Sequence, residues 1–110
     1  MIKVTVYVDS ETNQFTGFHT YGHADYADAG YDIICSAVSA LIITTINSID
    51  QLTKDSITCS EDQEHGEIDM RFNQAPSAEA ELLIRSMQLG LSGIQQEYGK
   101  KYLKVNTKEV

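Results

Sequence analysis

Hydrophobic and polar residues alternate at the start of the chain, where Ile2, Val4, Val6 and Val8 are separated by Lys3, Thr5 and Tyr7. A period of two puts one set on each side of an extended segment, so this reads as a strand with one buried face. Asp9 to Asn13 is rich in turn residues, and Gln14 to Tyr21 reads as a returning strand that closes a hairpin. Gly17 and Gly22 mark bulges or points of close backbone approach. The period then changes. From about Asp32 to Asp50, Ile34, Val38, Leu41, Ile42, Thr45 and Ile49 recur at helical steps, which places them on one side of a helix. The many β-branched residues argue weakly against a helix, but the run is too long for a buried strand.

Ser56 to Ser60 predicts a short strand, and Glu61 to Gly66 a charged turn. Ile68, Met70 and Phe72, alternating with Glu67, Asp69 and Arg71, complete a second hairpin. Ala75-Pro76-Ser77 opens another helix, whose apolar stripe is Ala80, Leu83, Ile84, Met87, Leu91 and Ile94. Gly99 ends it, and Lys101 to Val105 reads as a last strand. The order is therefore ββαββαβ. An α+β, two-layer fold buries these stripes most simply, with both helices on one face of a mixed, mostly antiparallel sheet. The 110 residues suit a single domain, residues 1–110, with no repeat, linker or low-complexity segment.

Composition narrows the function classes. Eight Lys plus Arg against sixteen Asp plus Glu give a formal charge of −8. No cationic cluster suits a phosphate backbone, so direct nucleic-acid binding is not expected. The charge suits either simple solubility or a basic protein or peptide partner drawn in by long-range attraction. A domain this small also gains from dimerisation. MIKVTVYVD lacks the cationic stretch and apolar run of a signal peptide. The apolar region from Ile33 to Ile49 is interrupted by Ser, Thr and Asn, so no membrane span is expected. Two Cys without secretory context imply a reducing cytoplasm and free thiols.

The candidate chemistry lies between Gly22 and Ser39. If the helix starts near Asp32, that residue is its N-cap and Cys35 falls in the first turn. Unpaired N–H groups and the positive end of the helix dipole then favour a thiolate over a thiol. The same N–H groups can stabilise an oxyanion. His23, closing the preceding strand, can serve as the base that takes the thiol proton and later protonates a leaving amine. A first-turn Cys packed as a small hydrophobe and a strand-end His with a structural partner are the plainer readings of the same residues. His19, His23 and Cys35 as a metal site lack ligand spacing, so no metal is expected. No cofactor motif, phosphate loop or G-x-S-x-G elbow is present.

The motif context goes further. Gly22-His23-Ala24 followed by Gly30-Tyr31-Asp32-Ile33-Ile34-Cys35-Ser36-Ala37-Val38-Ser39 closely resembles the ribosomal-processing cysteine protease (Prp) family of Firmicutes and related bacteria. Element order, length and acidic character agree along essentially the whole chain. The resemblance implies a cysteine endopeptidase with Cys35 as nucleophile and His23 as base. It implies a substrate, the short N-terminal extension of the twenty-seventh large-subunit ribosomal protein, cut after an aromatic residue to support ribosome maturation. It also implies a homodimer. The competing expectations are a non-catalytic acidic module that binds a basic ribosomal or ribosome-associated protein, and a redox-sensing thiol at Cys35.

The remaining residues carry lesser expectations. Asp32 caps the helix, orients His23, or does both. Ser39, four residues after Cys35, shares its helical face and supports the site or bonds the preceding turn. Gly22 permits close backbone approach beside the substrate, and Gly30 supplies an unusual backbone angle or hinge. Ala24 to Tyr31 reads as a lid, with Asp25, Tyr26 and Asp28 facing a basic or aromatic peptide or simply solvated. Cys59 is expected in the core and His65 in solvent.

Overall fold

A computed structural model describes residues 1–25 and 32–110. The expectations placed on Tyr26, Asp28 and Gly30, and most of the suggested lid, lie outside the described residues. The strands are β1 (Ile2–Val8), β2 (Phe15–Tyr21), β3 (Ile57–Asp62), β4 (Glu67–Phe72) and β5 (Leu103–Glu109). The helices are α1 (Ile33–Leu52) and α2 (Ala78–Tyr98), which reproduces the order ββαββαβ. The strands form one sheet in the order β3-β4-β2-β1-β5. All neighbours are antiparallel except β1 and β5, which run parallel in the register Ile2↔Leu103 to Val8↔Glu109.

This topology follows from the two helices. β2 and β3 both run antiparallel to β4 and are therefore parallel to each other, so α1 is the crossover between them. α2 likewise carries the chain from β4 to the far edge at β5. Both helices contribute buried residues to a single core. Ile2, Val4 and Val6 of β1, Phe18 of β2, Met70 of β4 and Leu103 of β5 meet Ile34, Val38, Ile42 and Ile49 of α1 and Ala80, Ile84, Met87 and Leu91 of α2. Lys3, Tyr21, Arg71 and Lys104, at alternate positions of the same strands, are exposed. The covered face and the open face are those that the period of two predicted.

By length and composition α1 is apolar enough to cross a membrane, with a mean hydropathy of 1.7. Its apolar stripe is accounted for by the core, because Ile34, Val38, Ile42 and Ile49 are almost wholly buried there. The helix carries no acidic residue in its first turn and no basic residue in its last. Asp32 caps it, with one carboxylate oxygen accepting from the N–H groups of Ile34 and Cys35, each at 3.0 Å. α2 is capped by Ser77, whose hydroxyl oxygen accepts from Ala80 N–H at 3.1 Å. Asp55 in turn holds Ser77 through its N–H at 2.8 Å and through its hydroxyl.

Cys59 departs from expectation. It is exposed rather than buried in the core. β3 is an edge strand, and of its residues only Ile57 is even partly buried. Cys59 pairs in register with the buried Met70, but one strand further from the centre of the helical layer.

Candidate active site

Three pieces of chain meet where β2 hands over to α1. His23 follows the end of β2, Cys35 lies in the first turn of α1, and the turn from Asp62 to Gly66 joins β3 to β4. The hydrogen bonds between them are largely main-chain. Gly22 N–H donates to the carbonyl of His65 at 3.0 Å. His23 Nε2 lies 3.1 Å from the carbonyl oxygen of Glu64. Ala24 N–H donates to Cys35 Sγ at 3.3 Å, which ties the sulfur to the strand exit that carries His23.

Gly22 adopts φ +97°, and a Cβ on it would lie 2.5 Å from the carbonyl oxygen of Met1. The expected close approach is therefore real, and its partner is the start of β1. No side chain fits there without moving that backbone.

Gly22, His23, Cys35 and Ser39 line one cleft of about 280 Å³. Sequence-predicted site residues separated by up to seventeen positions are thus brought together. Ile2, Val38, Ile42, Ile43 and Ile68 supply its apolar lining, and Glu61, Asp62 and Glu67 add carboxylates. An apolar, acid-lined cleft that an exposed imidazole and a half-buried thiol both line is suited to a peptide with apolar and basic side chains.

The charge state of Cys35 differs from the expectation of a helix-stabilised thiolate. Burial pushes its pKa up, and although the Ala24 N–H works the other way, the hydrogen bond and charge of Asp32 and the charge of Asp25 raise it further. Burial is the main cause, and the cap adds to it. The N–H groups of Ile34 and Cys35, which could have faced the sulfur, are engaged by Asp32. The resting group is a thiol, so any attack by sulfur needs a base. Those two N–H groups are equally committed in the resting structure and are not a ready-made oxyanion hole.

Asp32 is thus seen to cap α1 and to touch the cysteine. The two contributions separate by substitution. Asp32→Asn keeps an oxygen for the cap and removes the charge, so iodoacetamide should label Cys35 faster at neutral pH with little change in stability. Asp32→Ala should cost about 1 kcal/mol in denaturant unfolding. If Asp32→Asn labelled more slowly than the parent, the carboxylate would not be what suppresses the thiolate.

Sequence reasoning missed the β3–β4 turn as part of the site. Its only signal was a glycine at the end of a charged run, because its contribution is made by main-chain carbonyls. Asp62 and His65 pair there through Oδ2 and Nδ1 at 2.7 Å, with His65 exposed as expected. Asp62, Glu64 and His65 also place ligand atoms near one another, but all three are exposed and their hydrogen bonds build the turn.

Comparison with known proteins settles the family. The family described as cysteine protease Prp matches residues 1–104. The chain belongs to that family. It is a cysteine protease. The ribosomal processing cysteine protease Prp of Staphylococcus aureus (strain Mu50 / ATCC 700699) is 31% identical over 100 residues, covering 91% of this chain and 93% of the relative. The protein of the same description from Bacillus subtilis (strain 168) is 28% identical over 111 residues, covering 97% of each. Two crystal structures of the essential ribosomal processing protease Prp from S. aureus share the fold at 30% identity, covering 98% of this chain and 100% of theirs. One, with a covalently linked product peptide, superposes with a TM-score of 0.90. The other, with a substrate peptide, gives 0.85. Membership in the Prp family sets aside the reading of a non-catalytic acidic module.

Proposed function

We propose that Cys35 and His23 are the nucleophile and base of an endopeptidase that removes the short N-terminal extension of the twenty-seventh large-subunit ribosomal protein, cutting after an aromatic residue. The observation that carries the site assignment is that both residues line one cleft, with Cys35 Sγ tied by the Ala24 N–H to the strand exit that carries His23. His23 takes the proton from Sγ as the sulfur attacks the scissile carbonyl carbon. As the tetrahedral intermediate collapses, the C–N bond breaks, the amine leaves with the proton from His23, and a thioester remains on Cys35. Water then attacks the thioester, giving its proton to His23, and the thiol is restored as the carboxylate product departs.

The substrate assignment is supported by the descriptions of the relatives as ribosomal processing proteases and by the cleft itself. Its apolar lining suits an aromatic side chain, and Glu61, Asp62 and Glu67, within a chain of net charge −8, suit a basic ribosomal protein. Such a substrate is made in the cytoplasm, where this reading places the enzyme. A homodimer is part of the same proposal, and light scattering on the purified protein reads it directly. The test of the substrate is incubation with the ribosomal protein carrying its extension, followed by mass spectrometry of the products. Cleavage should follow the aromatic residue, and its replacement by alanine should lower kcat/KM by about 10–200-fold. Cleavage at another bond, or indifference to the replacement, would overturn the substrate assignment.

A further inference from the structure

His23 is held by a main-chain atom. A carbonyl oxygen only accepts, so in the 3.1 Å contact with Glu64 it is Nε2 that carries the hydrogen. Neutral imidazole has one N–H, and the lone pair is therefore left on Nδ1.

The carbonyl is presented by a turn that side chains and a glycine fix in place. Asp62 Oδ1 accepts from Glu64 N–H at 3.1 Å and from His65 N–H at 3.4 Å. Asp62 Oδ2 pairs with His65 Nδ1, and this hydrogen bond is the main reason the Asp62 carboxyl is held below the usual carboxylate range. Gly66 closes the turn at φ +61°. A Cβ on it would come within 2.4 Å of the Gly22 carbonyl oxygen and 3.2 Å of His23 Cε1. The turn thus grips consecutive residues, Gly22 through the His65 carbonyl and His23 through the Glu64 carbonyl.

We infer that the β3–β4 turn is a positioning element: the Glu64 carbonyl, held by Asp62 and Gly66, fixes His23 as its Nε2–H tautomer and makes Nδ1 the nitrogen that receives the Cys35 proton. This rests on the assignment of His23 as the base. When the proton moves from Sγ to Nδ1 the ring becomes cationic, and the Nε2–H···O=C bond strengthens as a charge-assisted one. The same proton leaves Nδ1 for the departing amine, and the bond relaxes. A neutral carbonyl orients the ring through the cycle without adding another carboxylate to a site that already raises the thiol pKa through Asp32 and Asp25.

The experiment is two-bond ¹H–¹⁵N correlation spectroscopy of the histidine-labelled protein at pH about 8, above the ordinary histidine range. His23 should show a protonated Nε2 and an unprotonated Nδ1. In Asp62→Ala the Nδ1–H form should gain population, and kcat for the extension peptide should fall about tenfold. Gly66→Ala, which displaces the turn from Gly22 and His23, should move both readouts in the same direction. A predominantly Nδ1–H ring in the parent protein, or both variants folded with unaltered tautomer and kcat, would overturn the inference. A failure of the base assignment looks different, as full turnover by His23→Ala whatever the tautomer.

Discussion

Cys35→Ala is expected to lower kcat for the extension peptide by about 10⁴-fold or more, since loss of a covalent nucleophile leaves only binding and electrostatic contributions. The fold should survive. Cys35 is half-buried at the edge of the core, and the α1 cap is made by Asp32 to main-chain N–H groups that the substitution leaves in place. Among the described residues the thiol's main-chain partner is the Ala24 N–H, which loses its acceptor, a cost of about 1 kcal/mol. Steady-state kinetics beside a denaturant melt separates the two effects. Turnover near the parent rate in a folded Cys35→Ala protein would remove Cys35 from the chemistry, and Cys59→Ala gives the matching control. Cys59 is exposed on the edge strand β3, and its thiol pKa is also pushed up by local desolvation and by the charges of Glu61 and Asp69.

His23→Ala carries the second large effect, about 10²–10⁴-fold in kcat/KM near neutral pH. The size follows from the state of the thiol. Burial and then the Asp32 contacts hold the Cys35 pKa above its ordinary value, so the thiolate fraction without a base is smaller than that of a free cysteine. Each unit of rising pH below that pKa increases the thiolate about tenfold by simple titration. The rate of His23→Ala should therefore climb with pH and recover part of the deficit in alkaline solution. A deficit constant from neutral to alkaline pH would mean that His23 does something other than deprotonate Cys35. The raised pKa also bears on thiol labelling. Cys35 and Cys59 should both alkylate slowly in the free protein, so slow labelling is no sign of an inert site here.

The elements with a strong period were legible in the sequence. Ile2, Val4 and Val6 announced β1, and the stripes of α1 and α2 fell where the helices lie, because burial on one face leaves a repeat that composition preserves. The edges were less legible. The sequence pattern of β5 ends at Val105, but the strand continues through Asn106 to Glu109, held by main-chain pairing with β1 that asks nothing of the side chains. The pattern of β3 ends at Ser60, but main-chain pairing with β4 carries the strand on to Asp62, and Cys59 on it is exposed where the pattern suggests core.

At the site, Asp32 was legible as a cap and Cys35 as a first-turn residue. That the cap would consume the N–H groups expected to stabilise a thiolate was not, since both readings use the same residues. Nor was the hold of the β3–β4 turn on His23 legible. It spans forty-one positions and is made by the Glu64 carbonyl, an atom every residue possesses.

Whether Cys35 carries the acyl group is read most directly by acid-quenching the reaction with the extension peptide within the first turnover and mapping the protein by mass spectrometry. The thioester mechanism predicts the N-terminal fragment of the substrate attached to the peptide containing Cys35, with Cys59 unmodified. Product formation with no adduct on Cys35 at any quench time, or an adduct on Cys59, would contradict it.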